Sequence, residues 1–297
     1  MITNQLALIR REIWEHRSIY ITPVAIATIV ILGTIYALVF VSGFATELNA
    51  VLFGATNVAE AGGRKLFMAG VLVVTSWPFL FALVVLMISY SLDSLYGERK
   101  DKSILFWRSL PVTDAETVLS KLTTAIVVIP SVSLIVIIAT HIVNMILISI
   151  WVSAKGGDPG LLIWEALPLL NNWVAAIVIV FIIAVWMSPF IGWFLFVSAF
   201  SKRMPFLMAF MPLALIPLLE AIFLHSKMFA SAVFIRGIDP TAFFDGGVLR
   251  NANEAAGLLD ILDVTQFMNS PAVWAGIIVC GLLSTAAIYV RRYRHEG

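Results

Sequence analysis

The stretch DSLYGERKDKSILFWRSLPVTDAETVLSKL, residues 93–122, decides how this chain is read. It carries five basic residues (Arg99, Lys100, Lys102, Arg108, Lys121) and five acids (Asp93, Glu98, Asp101, Asp114, Glu116) between two long apolar runs. A charge at bilayer depth costs at least about 2.5–3.5 kcal/mol. The stretch therefore belongs in water, and composition says where its flanks belong. The chain is 61% hydrophobic and 12% charged, with a mean hydropathy of +0.98. A soluble domain holds about 45–50% apolar and about 25% charged residues. Too little polar surface remains here to cover a soluble globule, so the expected class is an all-α integral membrane protein.

Working outward, six segments reach the roughly 20 apolar residues that a membrane-crossing helix needs. They fall at 21–42, 66–92, 123–151, 173–200, 205–224 and 272–290. Their apolar character is continuous rather than alternating, which predicts helices and not barrel strands. Before the first, residues 1–20 carry Ile2, Leu6, Ile9 and Ile13 at helical spacing, with Trp14 beside the last; Gln5, Arg11, Glu12, Glu15 and His16 take the other side. That pattern predicts an N-terminal amphipathic helix lying in the membrane interface. The following run is too long for a cleavable signal, whose apolar core is about 7–15 residues. Residues 21–297 are then one six-span domain.

Lysine and arginine set the expected orientation. With the N-terminus in the cytoplasm, thirteen of the nineteen fall on inner segments, and six spans return the C-terminus to the same side. Arg64 and Lys65 run against the trend. The segment 225–271 is too long for a passive connector, and is expected to form short external helices before the last span. The prolines Pro78, Pro130, Pro189, Pro212 and Pro217 lie inside spans; Pro212 and Pro217 together predict a bent or broken fifth span.

Several chemistries are excluded. A net charge of +1 gives no electrostatic basis for nucleic-acid binding. There is no P-loop, H-E-x-x-H or G-x-S-x-G. The single cysteine, Cys280, cannot form an intrachain disulfide. No histidines are spaced as a metal pair. Polar groups inside the spans are few. His141 and Asn144 are three apart, hence on one helix face, and Glu220 lies near the end of the fifth span. Intramembrane polar residues face other helices or a wet cavity. The three are candidates for a substrate path or a dimer axis, the alternatives being interhelical hydrogen bonding for His141 and Asn144, and contact with headgroup water for Glu220.

Read in order, the charged stretch has parts. Residues 96–101 are dense in charge just past a span. Ile104, Leu105, Phe106 and Trp107 form an apolar patch that needs a partner, and Pro111 stops it. Thr113 and Glu116 are spaced as a capping box that starts a helix into the third span.

Glu98-Arg99, then 104–110, then Leu110-Pro111-Val112-Thr113 and Lys121 resemble the cytoplasmic loop of ABC-2 type transporter permeases. The plan of an interfacial helix, six spans and a long outer segment before the last is similar too. Lys102-Ser103 stands where that family often has Gly-Thr. The resemblance implies the membrane subunit of an ATP-driven transporter, an exporter, in the inner membrane. It implies a second permease copy, identical or a similar paralogue, and two separate ATPase subunits that bring ATP and Mg, with no cofactor in this chain. The docking loop would be 93–122, with Glu98, Arg99, Ile104, Phe106, Trp107, Leu110 and Pro111 at the ATPase interface. Two other readings stand beside it. One is a permease-like subunit that passes ATPase work to an external partner through 225–271. The other is a membrane-embedded enzyme, which lacks a paired catalytic constellation.

Overall fold

The computed structural model describes residues 2–53, 58–101, 112–165, 169–231, 259, 262 and 264–293. Ten helices organise them. They are α1 Ile2–Glu15, α2 Ser18–Phe40, α3 Ser42–Phe53, α4 Val58–Lys100 and α5 Asp114–Ala154, then α6 Leu169–Trp186, α7 Ser188–Phe200, α8 Pro205–Leu224, α9 Val264–Asn269 and α10 Pro271–Tyr293. Among the described residues, six helices are long and apolar enough to cross a membrane: α2, α4 from Met68, α5, α6, α8 and α10. The chain is a multi-pass, all-α membrane protein. Helix is the outcome because a backbone in lipid must satisfy its own hydrogen bonds. The outward faces are apolar, with Ile29, Leu32, Phe81, Ile135, Leu170, Phe206 and Leu282 all exposed.

The described residues of the charged stretch are mostly helical. α4 does not stop at Leu92 but continues to Lys100, with Arg99 and Lys100 in its last turn, where cations suit the negative end of the helix dipole. α5 starts at Asp114 on the expected capping box. Thr113 Oγ1 accepts from the Glu116 N–H at 3.1 Å, and Glu116 Oε2 accepts from the Thr113 N–H at 2.9 Å. The apolar patch at 104–110 and Pro111 lie outside the described residues.

Two spans depart from the expectation, and two features are added to it. The segment after the first span holds α3, because Leu48 and Leu52 bury against a cluster with Met68, Leu72, Met145, Ile148 and Val152. The fourth apolar run divides into α6 and α7 at Met187, two residues before Pro189, whose ring and missing N–H disfavour an unbroken ladder. The fifth span carries Pro212 and Pro217 without interruption and closes with a π turn at Glu220–Leu224. Another π turn, Thr124–Val128, lies inside α5 just before Pro130. Of the predicted external segment, the turn at 228–231 and α9 are described; residues 232–258 lie outside the described residues.

α7 and α10 pack closely. A Cβ on Gly192 would come within 3.0 Å of the Cys280 Cα and 3.1 Å of its carbonyl oxygen. Gly276, Cys280, Ser284 and Ala287 form the buried stripe of α10, so small side chains let the two backbones approach. This contact carries the end of α10 to the ends of α4 and α5.

Candidate functional site

At the end of the bundle where α4 stops and α5 begins, charge is buried. The centre is Glu98, in the last turn of α4. Its Oε1 accepts from Arg11 Nη2 at 2.9 Å and lies 3.1 Å from Lys121 Nζ; its Oε2 accepts from Arg291 Nη1 at 2.7 Å. Lys121 also donates to Glu12 Oε1 at 2.9 Å, and Tyr90 Oη donates to Glu12 Oε2 at 2.8 Å. Arg291 Nε donates to Asp114 Oδ1 at 2.8 Å. Lys121 and Glu12 are each 0% exposed. Three cations and three carboxylates thus alternate, and four helices supply them: α1 gives Arg11 and Glu12, α4 gives Glu98, α5 gives Asp114 and Lys121, and α10 gives Arg291.

Charges can be taken from water this way because each has an opposite neighbour and further hydrogen bonds. Removing one partner leaves an uncompensated buried charge, a loss of about 3–5 kcal/mol. The arrangement is therefore sensitive to any displacement of its members. It also explains an inversion in α1. Leu8 and Glu12 turn inward, whereas Leu6 and Trp14 are 62% and 64% exposed, and the Arg10 guanidinium lies 4.7 Å over the Trp14 ring. Part of the polar face meets the protein, and apolar side chains face outward. His16 stands edge-on to Tyr90 with ring centroids 4.9 Å apart, which seats the end of α1 on α4.

Glu98 and Arg99 are neighbours in sequence with separate partners. Arg99 Nη2 donates to the Ser198 and Ser201 carbonyls at the end of α7, groups that a helix terminus leaves without a partner. Ser198 Oγ donates to Leu92 O at 2.7 Å and accepts from the Leu95 and Tyr96 N–H groups at 3.1 and 2.9 Å. A hydroxyl seated in the ladder of α4 is a recognised cause of helix bending. It lies one turn before Glu98. Of the residues proposed for a docking interface, Ile104, Phe106, Trp107, Leu110 and Pro111 lie outside the described residues.

The polar candidates within the spans behave differently from one another. His141 and Asn144 are 4% and 3% exposed and share the buried face of α5; His141 Nε2 is 3.0 Å from Ser76 Oγ of α4. Glu220 is used locally. Its carboxylate accepts from Ser226 Oγ at 2.9 Å, Phe229 N–H at 2.9 Å and Ala230 N–H at 3.2 Å, so it caps the turn that follows α8. Among the described residues no three of His, Cys, Asp and Glu converge as metal ligands.

The charge cluster was only partly visible in the sequence. Glu98 and Lys121 belonged to the loop motif, while Arg11 and Glu12 read as the polar side of the interfacial helix and Arg291 counted only toward orientation. The available signal was an acid on each of two helices beside basic residues at span ends. No protein-family model matches the chain, and the comparisons with curated proteins and with solved structures return no match.

Proposed function

We propose that this chain is the permease subunit of an ATP-driven transporter of the ABC-2 type, an exporter, powered by a separate ATPase subunit that docks on residues 93–122. The observation that carries the reading is where the residues flanking the segment 102–111 in sequence meet. Glu98 precedes it and Asp114 and Lys121 follow it, and all three enter one buried charge cluster with Arg11 and Arg291. A push on that segment acts at both its ends on the same cluster. From there it reaches α1, α4, α5 and α10 together. In this scheme Glu98 works as an internal hub, with the apolar side chains at 104–107 as the docking surface. Two permease copies pair with two ATPase subunits in the inner membrane, with both termini in the cytoplasm, as the excess of lysine and arginine at this end supports.

The test is purification from native membranes. The expected result is co-isolation of an ATPase carrying a P-loop, and loss of that complex in Trp107→Asp while the permease stays folded. Full activity of the isolated chain without nucleotide would overturn the proposal.

A further inference from the structure

The side chains on the buried face of α5 leave polar atoms without partners at bilayer depth. Asn144 Oδ1 and Nδ2, His141 Nδ1 and Ser133 Oγ make no hydrogen bond. They lie on three residues of one helix face, at 133, 141 and 144. Buried polar groups are almost always hydrogen-bonded, and in hydrocarbon each unsatisfied one costs several kcal/mol.

Ser76 Oγ lies 2.8 Å from Leu72 O and 3.0 Å from His141 Nε2. A neutral imidazole carries one donor and one acceptor nitrogen, and the Asn144 amide adds an acceptor in Oδ1 and a donor in Nδ2. The face therefore presents both donors and acceptors. Its complement is a small neutral group that both donates and accepts, as water does. Asn144 lies seven residues, roughly 10 Å along the helix, before Trp151, within reach of the membrane surface remote from the charge cluster.

We infer that His141, Asn144 and Ser76 form a neutral hydrogen-bonding site between α4 and α5, filled by water entering from the end of the bundle remote from Glu98. The site does not depend on the identity of any ATPase subunit.

Cysteine reactivity in membrane vesicles tests it, because a thiol becomes a nucleophilic thiolate only where water reaches it. Cys280 is the single cysteine, so Cys280→Ser supplies the background. Asn144→Cys and the near-isosteric Ser76→Cys are exposed to a charged, membrane-impermeant methanethiosulfonate, with Ile137→Cys as the control, a position 1% exposed on the same helix. Both are expected to react at least about tenfold faster than Ile137→Cys. Ser76→Cys answers the question if Asn144→Cys does not fold. Reaction no faster than the control in the folded variants would overturn the proposal.

Discussion

Glu98 and Arg291 stand 193 positions apart and meet at 2.7 Å, so the end of the second span is tied directly to the end of the last. Through Lys121 and Arg11 the same carboxylate reaches the third span and the N-terminal helix. Glu98→Gln keeps the shape and removes the charge on which three cations converge. The expected loss is about 3–5 kcal/mol, read as a lower melting temperature of the detergent-solubilised protein. Adding Arg291→Gln is expected to cost less than the sum of the two single changes, because the residues share one network. Additive effects would show that the contact has no energetic weight.

Ser198→Ala deletes a hydroxyl that serves Leu92 O and the N–H groups of Leu95 and Tyr96 at once. Ser198 is fully buried, so the groups left behind have no water to turn to. The expected loss is about 1–3 kcal/mol, with faster amide exchange confined to the last turns of α4. Unchanged exchange at Leu95 and Tyr96 would contradict the assigned bonds.

Gly192→Ala places a methyl group 3.0 Å from a backbone carbon of Cys280, which cannot swing aside as a side chain can. A loss of about 1–3 kcal/mol is expected from the overpacked α7–α10 contact. Gly33→Ala is the control: it lies in α2 with nothing within 4 Å of the added carbon, and alanine favours helix over glycine by roughly 1 kcal/mol. Its melting temperature should hold or rise.

Glu220→Ala removes the acceptor for Ser226, Phe229 and Ala230. Hydrogen–deuterium exchange at Phe229 and Ala230 is expected to accelerate, with the other spans unchanged. Exchange that stays slow there would mean that another group caps the turn.

Local physics made much of this protein legible from its sequence. Continuous apolar runs in lipid have no choice but helix, so all six spans were visible, and the fifth lies at the expected residues 205–224. The Thr113–Glu116 capping box is a matter of three-residue spacing, and it forms as read. Other features required the tertiary structure. The helix at Ser42–Phe53 exists because Leu48 and Leu52 find Met145 and Ile148 nearly a hundred residues away. The inward turn of Glu12 depends on Lys121 and Tyr90 arriving from other helices. Charge on a single segment predicts only that it seeks water or an opposite charge. Which one it meets is decided by how the helices pack, because that alone brings Glu98, Lys121 and Arg291 within hydrogen-bonding distance.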